Sequence, residues 1–119
     1  MNTRWWWGRS ASIDLHGCDH TLVCDAKAIH RYIEQLVKVL NMKKVGPMRI
    51  KRFGHKELRG YSVMQFIETS TIVAHFDEYA NRAFLDIFSC KRYNPGKAAE
   101  FSKKFFKAQE CSVKVEERL

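Results

Sequence analysis

From Asp25 onward, Ile29, Tyr32, Ile33, Leu36, Val37 and Leu40 recur at helical spacing and draw one apolar stripe up to Asn41. Such a stripe lies along one side of an α-helix, and Asp25 suits its N-cap because a short carboxylate can accept from the free N–H groups of the first turn. A one-sided helix has to be covered by something else in the chain. Segments 10–16, 47–53, 61–68, 70–76, 82–89 and 110–116 read as strands, the last with Cys111, Val113 and Val115 alternating against Ser112, Lys114 and Glu116. Pro95-Gly96 opens a second helix, to about Ala108, with Ala98, Phe101 and Phe105 facing inward. Residues 54–59 read as a mobile loop. Helices interspersed among mostly sequential strands predict an α+β two-layer sandwich, an antiparallel β-sheet with two helices packed on one face.

With 119 residues, 45% of them hydrophobic, the chain has material for one core and one domain, residues 1–119. It has no apolar run of about 18 residues, the length a membrane span needs. Met1 to Gly8 lacks the apolar stretch and small-residue cleavage site of a secretory signal, so a cytoplasmic chain with reduced thiols is expected. Trp5, Trp6 and Trp7 are too few to anchor a membrane and are expected to cover a hydrophobic edge or a subunit contact.

Cys18, Cys24, Cys90 and Cys111 form no CxxC pair. His16, Cys18, Asp19 and His20 are potential ligands, but crowded on one short segment they fit tetrahedral zinc poorly, so no metal is expected. The net charge of +8 includes Lys43, Lys44, Arg49, Lys51, Arg52, Lys103, Lys104 and Lys107. No nucleic-acid motif accompanies them, and they read as the solvated faces of a sheet and a helix, with no nucleic-acid partner.

The chemistry concentrates in Thr69-Ser70-Thr71-Ile72-Val73-Ala74-His75 and in Cys90, fifteen residues after the histidine. These place a hydroxyl, an imidazole and a thiol on two consecutive strands joined by Asp77-Glu78-Tyr79-Ala80-Asn81. Side chains alternate along a strand, so Ser70 shares a face with Ile72 and Ala74, while Val73 and His75 take the other. Pairing Ser70 with His75 therefore requires a bend at Ser70 or a second chain.

The run Gly60-Tyr61-Ser62-Val63-Met64-Gln65-Phe66-Ile67-Glu68-Thr69-Ser70, then His75, then Leu85-Asp86-Ile87-Phe88-Ser89-Cys90, resembles the prokaryotic S-adenosylmethionine decarboxylases. Members carry a serine eight residues before a cleavage serine, a histidine five after it and a cysteine fifteen after the histidine. Ser62, Ser70, His75 and Cys90 keep all three intervals. Gly8-Arg9 and Ile13-Asp14-Leu15-His16-Gly17-Cys18-Asp19 are similar to the family's opening strand, so the resemblance spans about residues 8–116. Two places depart from it. Thr69 stands where the family usually has the glutamate before the serine, with Glu68 one place back, and Phe76-Asp77-Glu78-Tyr79 replaces Thr-Trp-Pro-Glu.

The resemblance implies a self-cleaving enzyme. Ser70 would attack the carbonyl of Thr69, and elimination from the resulting ester would leave a pyruvoyl group as the cofactor. That group condenses with a substrate amine and accepts the electrons released as carbon dioxide leaves. By the same resemblance His75 would take the α proton during elimination, Ser62 would hydrogen-bond the processing intermediate, and Cys90 would return a proton to the substrate carbon. Phe53 and Glu78 are the candidates to hold an adenosine base and ribose. The implied small-molecule substrate is S-adenosylmethionine, decarboxylated for polyamine (spermidine) synthesis by a homodimer whose sites draw on both subunits. Two alternatives stay open: decarboxylation of arginine or ornithine by the same cofactor, and an uncleaved binding or regulatory protein.

Overall fold

The structure, a computed structural model, describes residues 5–119; Met1–Arg4, half of the segment read for a secretory signal, lie outside the described residues. The chain runs β1 (Gly8–His16), α1 (His20–Val23), α2 (Ala26–Val39), β2 (Lys44–Phe53), β3 (Gly60–Ile67), β4 (Ser70–Asp77), β5 (Arg82–Ser89), α3 (Pro95–Phe105) and β6 (Glu110–Arg118). The strands form one sheet in the order β2-β3-β4-β5-β1-β6, antiparallel at every junction.

Asp25 caps α2 as its side chain predicts, accepting from the Lys27 N–H at 2.9 Å, and the apolar stripe is buried from Ala28 to Val37. It lies on a sheet face built by every second residue: Ala11, Ile13 and Leu15 of β1, Val63 and Ile67 of β3, Ile72, Ala74 and Phe76 of β4, and Ala83, Leu85 and Ile87 of β5. α3 covers the same core through Ala98, Ala99 and Ser102. The α+β sandwich of the sequence reading is thus the observed fold. Among the described residues the opposite sheet face carries no helix, and on it Met64, Phe66 and Phe53 are about half exposed.

The structure departs from the sequence reading in its details. α1 has only four residues, too short for a periodic signal, and is set by Asp19, whose carboxylate accepts from the Leu22 N–H at 3.2 Å. α3 stops at Phe105, because Phe106 leaves the helical period and turns fully into the core against Tyr32 and Phe76. β2 begins earlier than expected, at Lys44, with a register break between Val45 and Arg49. Gly46, at φ 74°, and Pro47 lie in that break, and an edge strand tolerates a residue with no N–H to donate. Within the 54–59 loop, Lys56–Leu58 forms a 3₁₀ turn.

Trp7 stacks on Phe88 and the Trp6 indole donates to Glu117 at 2.6 Å, which lays this segment over the β5-β1-β6 side of the sheet. The ligand cluster disperses: Asp19 caps α1, Cys18 is buried, and His20 Nδ1 meets the Asn81 amide oxygen at 2.6 Å. Among the described residues no helix is long and apolar enough to cross a membrane.

Candidate active site

β3 and β4 join in a two-residue hairpin in which Ile67 pairs with Ser70 across Glu68 and Thr69. Ser70 has a φ of 150°, a conformation that L residues rarely adopt and that costs of order 1–3 kcal/mol. The peptide bond between Thr69 and Ser70 therefore carries strain at the candidate nucleophile. The chain also engages the carbonyl that Ser70 would attack: the Cys90 N–H donates to Thr69 O at 2.9 Å. A donor on that oxygen favours the charge that builds on it during attack. Ser70 pairs with Ser89 across β4 and β5, so the half-buried serine and the exposed Cys90 lie at the same end of the sheet.

Ser62 and His75 form a second centre. They are cross-strand partners on β3 and β4, with Ser62 Oγ 2.8 Å from His75 Nδ1. If Nδ1–H donates to the serine, Nε2 is left free to accept a proton. Both residues sit on the uncovered sheet face, where they line a cavity of about 310 Å³ with Phe53, Met64, Val73, Arg49 and Lys51. Gly60, which opens β3, allows this strand to run close to β4, since a Cβ there would sit 1.8 Å from the backbone oxygen of Phe76.

The candidate residues thus divide into two groups within one chain. Ser70, Thr69 and Cys90 meet at one end of β4, and Ser62, His75 and Phe53 meet towards the other. Five residues of strand at about 3.3 Å each separate Ser70 from His75, a gap of roughly 16 Å, with the alternation placing them on opposite faces. Glu78 joins neither group. Arg52 grips its carboxylate through two nitrogens, at 2.7 and 2.8 Å, and that hydrogen bonding holds Glu78 below the usual carboxylate range. Three participants escaped the sequence reading: the Cys90 N–H, the fully buried Ser89, and the pair Arg49 and Lys51 beside Phe53. Their positions depend on strand register, which spacing alone does not reveal.

The fold is shared with a solved structure. The crystal structure of the adenosylmethionine decarboxylase from Aquifex aeolicus VF5 matches it with a TM-score of 0.82, over 97% of this chain and 92% of that one. At 20% identity the likeness is one of fold. The sequence supplies the particular family: the S-adenosylmethionine decarboxylase family model matches residues 9–119, and the chain belongs to that family. It is accordingly an enzyme, a carboxy-lyase of polyamine synthesis acting on S-adenosylmethionine.

Proposed function

We propose that the chain cleaves itself between Thr69 and Ser70, converts Ser70 to a pyruvoyl group, and in that form decarboxylates S-adenosylmethionine. The observation that carries this reading is the Thr69–Ser70 bond itself, with φ 150° on the serine and a backbone donor on the carbonyl. Ser70 Oγ adds to the Thr69 carbonyl carbon, the C–N bond breaks, and an ester and a free amine result. Loss of the Ser70 α proton then expels the Thr69 carboxylate, and water replaces the amine as ammonia. Once formed, the group supplies an electron sink for decarboxylation.

The 16 Å gap makes a homodimer part of this reading, because a single chain cannot apply its own His75 to its own Ser70. A second copy placed on the uncovered sheet face, with strands running the opposite way, brings Ser62 and His75 of the partner subunit to the Ser70 end of β4, where the serine's φ of 150° breaks the strand alternation and Cys90 is exposed. The exposed Met64 and Phe66 favour such a contact, since large apolar side chains on an open sheet gain by burial. In the combined site His75 takes the α proton through Nε2, Ser62 holds the imidazole and faces the processing intermediate, and Cys90 returns a proton to the product carbon. Phe53 offers its ring to the adenine. Glu78 reaches a ribose only by releasing Arg52.

The free thiols of Cys18, Cys24, Cys90 and Cys111 suit a reducing cytoplasm.

The intact mass of denatured protein tests the central step. Two fragments meeting at Thr69 and Ser70 are expected, and one uncut chain overturns the reading. Assaying the processed protein with S-adenosylmethionine, arginine and ornithine side by side tests the substrate.

A further inference from the structure

The Thr69 side chain is held as firmly as its carbonyl. Thr69 Oγ1 and Ser89 Oγ share a hydrogen bond of 2.8 Å, and the same Ser89 oxygen accepts from the Lys91 N–H at 3.0 Å. Ser89 is completely buried, one of three buried polar or charged residues in the described chain. A hydroxyl has one proton and two lone pairs, so the Lys91 N–H takes one lone pair and Thr69 uses what remains. Ser89 is also the β-ladder partner of Ser70, and the next residue, Cys90, donates to Thr69 O at 2.9 Å. Ser89, the last residue of β5, and Cys90 just after it thus grip both ends of Thr69, one by its hydroxyl and one by its carbonyl. With both ends fixed, the plane of the Thr69–Ser70 peptide cannot rotate to relax the serine from its φ of 150°.

We propose that Ser89 is a positioning residue for self-cleavage: through Thr69 Oγ1 it keeps the Thr69 carbonyl turned toward the Cys90 N–H and within reach of Ser70 Oγ. The inference rests on the proposed cleavage and assigns it a residue that touches no reacting atom. It also gives Thr69 a function at the scissile bond that depends on a hydroxyl and needs no charge.

The test follows the rate of cleavage in freshly made full-length protein by intact mass, with hydroxylamine added to release any ester. Ser89→Ala and Thr69→Val each remove one side of the same hydrogen bond, and each should slow cleavage by about five- to tenfold, the usual worth of one such bond. The double variant should be no slower than either single one, because the two share a single interaction. Ser89→Thr, which restores the hydroxyl, should recover the rate. A buried serine that merely supports the fold would lower the melting temperature without this non-additivity. Thr69→Val changes a turn residue outside the core and keeps the test informative should Ser89→Ala fold poorly. Wild-type rates in both single variants, or independent losses that multiply in the double variant, overturn the assignment while leaving self-cleavage intact. A wild-type chain that never cleaves overturns both.

Discussion

A histidine that serves only the neighbouring chain should be replaceable by that neighbour. His75→Ala alone removes the proposed base, and loss of a general base costs about 10²- to 10⁴-fold. The expected product is a chain halted as the ester, which hydroxylamine splits and water does not. Ser70→Ala alone removes the nucleophile and should leave a full-length chain under every treatment. Produced together in equal amounts, the two variants combine at random, and about half of the His75→Ala chains then find a partner that retains His75. Those chains have Ser70 of their own and an intact imidazole facing it, so about half of the His75→Ala protein should cleave without hydroxylamine. The Ser70→Ala protein should remain whole. Intact mass distinguishes the two chains if one carries a short tag. Within one chain the gap of roughly 16 Å is several times the reach of about 3 Å over which a base can take a proton. Two results would refute a base supplied by the neighbour: normal cleavage by His75→Ala alone, or no rescue in a mixture shown to contain the mixed dimer.

Other substitutions separate the remaining parts. Cys90→Ala keeps the backbone donor to Thr69 and should still cleave, but should decarboxylate poorly, as measured by fragment masses and carbon dioxide release. Phe53→Ala should raise KM for S-adenosylmethionine by roughly tenfold through lost stacking; Glu78→Gln should match that rise only if Glu78 leaves Arg52 to bind the ribose, and unchanged cleavage in both would confine their effect to substrate. The Arg52–Glu78 pair should contribute to stability above pH about 4.3, the value of an unfolded glutamate, and lose that contribution as pH falls through the lower value of the folded state. Arg52→Ala should therefore lower the melting temperature at pH 7, and the difference from wild type should close in acid. Gly60→Ala should destabilise the fold strongly, because its Cβ would meet the Phe76 oxygen at 1.8 Å and only backbone movement could relieve it; a wild-type denaturation midpoint would contradict that.

The elements best read from the sequence were those whose residues repeat. The Asp25 stripe, the alternation of β3 to β5 and the Pro95 helix start each follow from local rules, and together they imply the sandwich. Phe106 was missed because it follows the last turn of α3 and obeys no helical period, although it is as buried as any residue in the core. α1 was missed because one turn has no period to read. At the site, the intervals between Ser62, Ser70, His75 and Cys90 single out the segments proposed for the chemistry, but not who meets whom. The Ser62–His75 bond requires a particular register of β3 on β4, and the Cys90 donor to Thr69 requires that β5 run past the hairpin. Both are long-range consequences of folding, and neither leaves a local trace.

The strand order has a consequence for a chain cut between Thr69 and Ser70. Residues before the cut contribute β1, β2 and β3, and residues after it contribute β4, β5 and β6, yet in the sheet β1 lies between β5 and β6. The two pieces are therefore interlaced, and separating them means unzipping β3 from β4 and pulling β1 out from between two strands of the other piece. A nicked molecule should keep its shape and resist dissociation for as long as it stays folded. Once melted, however, it has lost the covalent link that kept the two pieces at high effective concentration, and reassembly becomes a bimolecular search. Such a protein would fold once, as a precursor, and thereafter rely on slow unfolding for its lifetime.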